Sequence, residues 1–228
     1  MNVAIVVAAG KGTRLGGDRP KQFLQLAGVP VIIHTLKQFE RSKRINEVIM
    51  VLPAEDTAGF ESLAQKFELS KVRRIVAGGS TRAQSVRNGL AAIVDAEIVA
   101  VHDGVRPLVT PEEIDEVVGA AERAGAAILT APVADTIKRV ESDRIVETVS
   151  RAELRRALTP QCFQFEVLKR AYEQLDELES AGVEITDESM LVERLGVEIV
   201  AIQGSDRNIK ITNADDIALA EVLIKSLA

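Results

Sequence analysis

The run Val3-Ala4-Ile5-Val6-Val7-Ala8 is apolar at every position and leads within two residues into Gly10. A strand that is apolar on both faces needs cover on both faces. In a water-soluble chain that means the middle of a parallel sheet between two helical layers. The segments that follow keep the same rhythm. Glu47 to Leu52, Val72 to Ala77, Ile98 to Val101 and Gly125 to Thr130 read as further strands. Between them, Val31 to Glu40, Ala54 to Phe67 and Thr81 to Ile93 have helical spacing, with Ser80 or Thr81 as cap of the last. Thr110-Pro111-Glu112-Glu113 is a helix start: a capping residue, proline in the first turn, then acids. The alternation predicts an α/β fold with a mostly parallel sheet. Its 228 residues suit one large domain, 1–228. Aromatic residues make up only 3% and Trp is absent, so the core must rest on Val, Ile, Leu and Ala.

The rhythm breaks once. Asp135 to Val140 and Arg144 to Val149 are short alternating segments joined by Glu141-Ser142-Asp143, which predicts a β-hairpin protruding from the α/β body. Helices are then expected at Phe165 to Glu179 and Asp187 to Leu195, and strands at Val197 to Ala201 and Ile209 to Ile211. A final helix is expected to be capped by Asn213. The net charge of −6 argues against a nucleic-acid partner, since a sequence-blind polyanion binder is usually basic. A local basic cluster within an acidic protein still suits a small anionic substrate. The single cysteine, Cys162, excludes an intrachain disulfide and a cysteine-based metal site. It fits a reducing cytoplasm and reads as a packed apolar residue. The N-terminal apolar run is too short for a signal peptide, and no stretch is long enough for a membrane span, so neither is expected.

The loop after the first strand, Ala8-Ala9-Gly10-Lys11-Gly12-Thr13-Arg14-Leu15, carries the chemistry. Glycines there let backbone N–H groups approach phosphates closely. It is neither of the two familiar phosphate loops. A dinucleotide fingerprint needs its third glycine where Leu15 stands, which disfavours an NAD-dependent oxidoreductase. A Walker A loop needs Gly-Lys-Ser/Thr where Gly12-Thr13-Arg14 stands. Instead the segment gathers Lys11, Arg14, Arg19 and Lys21. Pro20 stiffens the exit and sets Lys21 at the edge of the next apolar element. Asp103 follows the strand at Ile98, at the kind of strand end where open α/β sheets place ligands. An acid there either holds Mg²⁺ on a triphosphate or caps a turn. Arg106 suits a phosphate through its planar fork.

Ala8 to Arg14 with Pro20-Lys21-Gln22 resembles the nucleotide loop of sugar-phosphate nucleotidyltransferases. More narrowly it resembles that of the 2-C-methyl-D-erythritol 4-phosphate cytidylyltransferases of the non-mevalonate isoprenoid pathway. The similarity continues in order through His102-Asp103-Gly104-Val105-Arg106-Pro107, Leu158-Thr159-Pro160-Gln161, Ile185-Thr186-Asp187-Glu188 and Asn208-Ile209-Lys210-Ile211-Thr212, and so covers nearly the whole chain. The resemblance implies a Rossmann-like three-layer fold and transfer of CMP from CTP to methylerythritol phosphate, with release of pyrophosphate and a requirement for Mg²⁺. It implies a nucleotide site at Ala8, Ala9, Gly10, Gly12, Arg14, Lys21, Gly79, Ser85 and Asp103, with Arg14 and Lys21 catalytic. It implies an acceptor site at Asp103, Arg106, Thr136, Arg151, Thr186 and Lys210, with Asp103 also the metal ligand. The hairpin, at about 134–151, is implied to be an arm that crosses to a second subunit of a homodimer and brings Thr136 and Arg151 to the partner's acceptor site.

His102 invites a reading as general base, but an acceptor phosphate is already anionic and needs no deprotonation. His102 is expected to hold the turn by hydrogen bonds, and His34 to be surface or core filler. Two other functions share most of these features. A ribitol 5-phosphate cytidylyltransferase has overlapping motifs, and the matches at Arg151 and Lys210 favour methylerythritol phosphate over it. A non-catalytic nucleotide-binding module would be expected to lack Arg14, Lys21 or Asp103, and all three are present.

Overall fold

A computed structural model describes residues 1–10 and 20–225. In chain order the described elements are β1 (Asn2–Val7), β2 (Gln25–Leu26), β3 (Val29–Pro30), α1 (Val31–Arg41), β4 (Glu47–Leu52), α2 (Thr57–Lys66), β5 (Val72–Ala77), α3 (Arg82–Ala91), β6 (Ile98–Asp103) and α4 (Pro111–Ala124). They continue with β7 (Ala126–Pro132), β8 (Ile137–Glu141), β9 (Arg144–Val149), β10 (Arg155–Gln164), α5 (Phe165–Tyr172), α6 (Leu175–Ser180), α7 (Glu188–Glu193), β11 (Val200–Gln203) and α8 (Ala214–Lys225).

The central sheet has seven strands in the order β11-β7-β10-β6-β1-β4-β5. β1 lies parallel between β4 and β6, and every one of its residues is buried. Strand alternation sends Ala4 and Val6 to one face and Val3, Ile5 and Val7 to the other. The first face packs against Leu36 and Phe39 of α1, Phe60 of α2 and Val117 of α4. The second packs against Val86 of α3, Leu168 of α5 and Leu191 of α7. These are the two helical layers that an all-apolar strand requires. α4 begins as expected: the Thr110 hydroxyl accepts from the Glu113 N–H, the Glu113 carboxylate accepts from the Thr110 N–H, and Gly125 closes the helix at φ 89°.

β10 was not foreseen. It is antiparallel to both β6 and β7, and it carries Pro160 after a cis peptide where its pairing with β7 shifts register. A proline inside a run argues against a central strand, because it cannot donate to the ladder. The bulge between Ala157 and Gln161 accommodates it here. The short pair β2–β3 was also not foreseen. The helix expected from Phe165 to Glu179 is divided into α5 and α6 at Glu173, and no sequence signal marks the break. The last sheet strand begins at Val200 instead of Val197. Ile209 to Ile211 forms no strand. Ile211 is held instead by one backbone bond, from its N–H to the Val105 carbonyl at 2.9 Å. The hairpin expected at Asp135 to Val149 is β8–β9, a separate two-stranded sheet. Among the described residues no helix is long and apolar enough to cross a membrane.

Candidate active site

The carboxyl ends of β1, β5 and β6 converge on a cavity of about 400 Å³. Ala8, Ala9 and Gly10 leave β1, Gly79 follows β5, Asp103 ends β6, and Lys21 and Ser85 complete the wall. Tight backbone approach makes the cavity. A side chain on Gly78 would overlap the Cβ of Ala9 and come within 2.9 Å of Ser85 Oγ. On Gly79 it would come within 2.5 Å of Gln84 Cβ. The Gly79 N–H donates to Ser85 Oγ at 3.1 Å, and that hydroxyl donates to the Thr81 carbonyl at 2.9 Å. Thr81 also caps α3 by accepting from the Gln84 N–H. The β5–α3 turn is thus fixed before any ligand arrives.

Asp103 marks the floor. Arg82 Nε donates to its Oδ1 at 3.0 Å, Lys210 Nζ lies 2.9 Å from Oδ2, and Arg106 Nε lies 3.4 Å from Oδ2. Burial raises the carboxyl, but Arg82, Lys210 and Arg106 outweigh that and hold it well below the usual carboxylate range. Beyond Asp103 lies a second cavity of about 250 Å³, whose wall includes Arg106, Thr159 and Thr186. Arg82, Asp103 and Lys210 line both cavities, so the two meet at this cationic junction. Lys210 is held from the chain on either side. The Asn208 amide donates to the Thr159 carbonyl at 2.9 Å, the Asn208 carbonyl accepts from Arg106 Nη1 at 2.8 Å, and Ile211 is buried. The alternation that set Lys210 opposite Ile209 and Ile211 therefore survives without a strand. A cavity of similar size at the outer edge between α2 and β5 has no such convergence of charge.

His102 is wholly buried and lines neither cavity. Its Nε2 lies 3.2 Å from the Arg106 carbonyl, its Nδ1 lies 3.0 Å from Thr159 Oγ1, and its ring packs on Phe39 at 5.0 Å. Burial drives its pKa down to about 3. A neutral imidazole tied to the Asp103–Arg106 turn is a structural part, as expected. His34 is half-buried, with its Nε2 2.8 Å from the Leu26 carbonyl. Cys162 is buried in the core, and burial pushes its thiol up.

Of the residues expected at the site, Ala8, Ala9, Gly10, Lys21, Gly79, Ser85 and Asp103 line the first cavity. Arg106, Thr186 and Lys210 join Asp103 at the second. Thr136 and Arg151 are exposed at the root of the hairpin and line neither. Lys11, Gly12, Arg14 and Arg19 lie outside the described residues. The resemblance implies Arg82 only as part of a nucleotide-recognition stretch, Arg82 to Ser85, and carries Glu188 only within the motif Ile185-Thr186-Asp187-Glu188, and it gives neither a role of its own. The one available signal was their place in the motifs that follow Gly79 and Thr186. The donor set at Asp103 does not fit a metal held by the protein. Among the described residues no three His, Cys, Asp or Glu side chains group as ligands, and both Asp103 oxygens already face cations. A metal there would have to displace one of them.

A glycine-lined cavity at the strand ends, opening onto a smaller cationic one, defines a nucleotide-binding α/β enzyme of the group-transfer class. The family model for IspD, 2-C-methyl-D-erythritol 4-phosphate cytidylyltransferase, matches residues 2–226. A 2-C-methyl-D-erythritol 4-phosphate cytidylyltransferase of Syntrophus aciditrophicus is 42% identical over 226 residues, covering 98% of this chain and 95% of its own. The 4-diphosphocytidyl-2C-methyl-D-erythritol synthase structure from Anaerococcus prevotii superposes with TM-score 0.85 at 29% identity, covering 98% of this chain and 96% of that one. The 2-C-methyl-D-erythritol 4-phosphate cytidylyltransferase structure from Thermus thermophilus does so with TM-score 0.77 at 32% identity, covering 97% and 98%. The chain belongs to the 2-C-methyl-D-erythritol 4-phosphate cytidylyltransferase family.

Proposed function

We infer that this enzyme transfers CMP from CTP to 2-C-methyl-D-erythritol 4-phosphate, giving 4-diphosphocytidyl-2-C-methyl-D-erythritol and pyrophosphate. The observation that carries this is the pair of cavities sharing Arg82, Asp103 and Lys210. The first takes the nucleotide and the second the acceptor phosphate. An acceptor phosphate oxygen attacks the α-phosphorus, the bond from that phosphorus to the bridging oxygen breaks, and pyrophosphate leaves with the electron pair. No proton needs to move. The work of the protein is orientation and neutralisation of charge. Lys21 and Arg14 serve the triphosphate and the transition state, while Arg106, Lys210 and Thr186 grip the acceptor. Mg²⁺ would enter with the triphosphate and help to neutralise its charge.

The active form is a homodimer in this reading. Val140, Ile145 and Val146 on the hairpin are exposed at 53%, 67% and 51%, and an isolated two-stranded hairpin is marginal in water. A second subunit covers it, and Thr136 and Arg151 complete the partner's acceptor site. A reducing cytoplasm suits the single free cysteine. The test is purified enzyme with CTP and either methylerythritol 4-phosphate or ribitol 5-phosphate, followed by pyrophosphate release. Faster turnover with ribitol 5-phosphate would overturn the acceptor assignment.

A further inference from the structure

Glu188 has no exposed surface and lines neither cavity, yet it governs a residue that lines both. Arg82 donates from Nη1 and Nη2 to the two Glu188 oxygens at 2.7 and 3.1 Å, and from Nε to Asp103 Oδ1 at 3.0 Å. Each of its nitrogens thereby makes one of these bonds. Glu188 is fixed in turn from behind. Tyr172 donates its hydroxyl to Oε1 at 3.1 Å. Gln161 Oε1 accepts from the Glu188 and Ser189 N–H groups at 3.1 and 3.0 Å, and Gln161 Nε2 donates to Asp187 Oδ2 at 2.9 Å.

The pair joins α3 to α7. For that purpose an apolar contact would serve as well, because a buried ion pair adds little stability over well-packed apolar side chains. An apolar contact could not aim a guanidinium at Asp103. We propose that Glu188 is a positioning residue for the transfer reaction, holding Arg82 on Asp103 where the two cavities meet. The proposal rests on the assignment of the two cavities to the two substrates. Without the Glu188 charge, Arg82 is no longer held on Asp103. Substrates still bind, but Asp103, and with it Lys210 and Arg106, leave the geometry needed for reaction.

The test measures kcat per folded site, with folded sites counted by CTP binding, and the KM for CTP in Glu188→Gln, Arg82→Gln and the double variant. Glu188→Gln is expected to lower kcat about tenfold or more, the scale of a displaced reacting group, with no rise in KM. The double variant is expected to fall no further than Arg82→Gln alone, because Glu188 acts through Arg82. Additive losses, or a folded Glu188→Gln enzyme with wild-type kcat, would overturn the proposal. Should Glu188→Gln not fold, Tyr172→Phe removes one bond to Glu188 at nearly constant volume. It is expected to lower kcat about threefold at unchanged KM, within the usual worth of one hydrogen bond, and a wild-type kcat there overturns the proposal. Wild-type enzyme without CMP transfer would sink the functional reading and this inference with it. Active wild type with unaffected variants sinks this inference alone.

Discussion

Lys21 and His102 are both close to phosphate chemistry in the sequence, and the structure gives them opposite characters. Lys21 lines the larger cavity at the strand ends, whereas His102 is sealed under the turn it supports. Lys21→Ala is expected to cut turnover by about two orders of magnitude, the scale of a lost transition-state contact, with folding unchanged. Steady-state kinetics with thermal melts checks this. His102→Asn is expected to keep turnover per folded molecule within about tenfold of wild type, below the usual contribution of a general base. Its effect falls on stability instead. The folded protein holds His102 neutral down to about pH 3, while the unfolded chain takes up a proton below its ordinary 6.5. The unfolded state therefore binds more protons in that window, and stability rises with pH across it. The contribution is present above 6.5 and is lost as pH falls. Urea midpoints at about pH 7.5 and 5 should drop more for wild type than for His102→Asn, and equal drops would refute a buried neutral imidazole.

Elements differ in how openly their sequences declare them. α4 states its own start through Thr110-Pro111-Glu112-Glu113, because capping is local chemistry between neighbours. Thr110→Ala should cost about 1 kcal/mol in chemical denaturation and leave turnover unaltered. β10 is the opposite case. The run Arg151 to Arg156 that leads into it has the charge pattern of an ordinary helix start, and Pro160 forbids an ordinary central strand. Only pairing with β6 and β7, with a bulge to absorb the proline, makes it part of the sheet. The hairpin β8–β9 was legible from its alternation, but its apolar residues stay exposed even though Val140 and Ile145 face each other across the two strands. Replacing 137–149 by a short polar turn should leave a folded monomer with little transfer activity, measured by sedimentation and turnover. A dimer of full activity would remove the arm from the site.

At the scale of the whole molecule, the assembly prediction is the most direct. Lys21→Ala and Arg151→Ala chains, each nearly inactive, are mixed and allowed to exchange. A mixed dimer then has one site with both defects and one with neither. Random pairing makes about half the dimers mixed, so activity should return to about a quarter of wild type. No recovery after proven exchange would place both residues in the same chain's site. Activity should also vanish in excess chelator and return with Mg²⁺, and full activity with chelator would exclude the ion from the reaction.

The alternation of apolar runs and helical spacing determined the α/β class, and the order of the five motifs determined the family, because both are properties of neighbouring residues along the chain. The identities of Lys21, Asp103, Arg106 and Lys210 were readable for the same reason. What only the tertiary structure decided was their convergence. Asp103 meets Arg82 and Lys210 because the end of β6, the start of α3 and the segment after β11 come together at one place. Glu188, more than a hundred residues from Arg82 in the chain, becomes its anchor only through the packing of α7 against α5 and β10. Local pattern sets which faces are apolar and where elements stop. The charge on a buried carboxylate, and the direction in which a guanidinium points, depend on what the rest of the chain brings within about 3 Å.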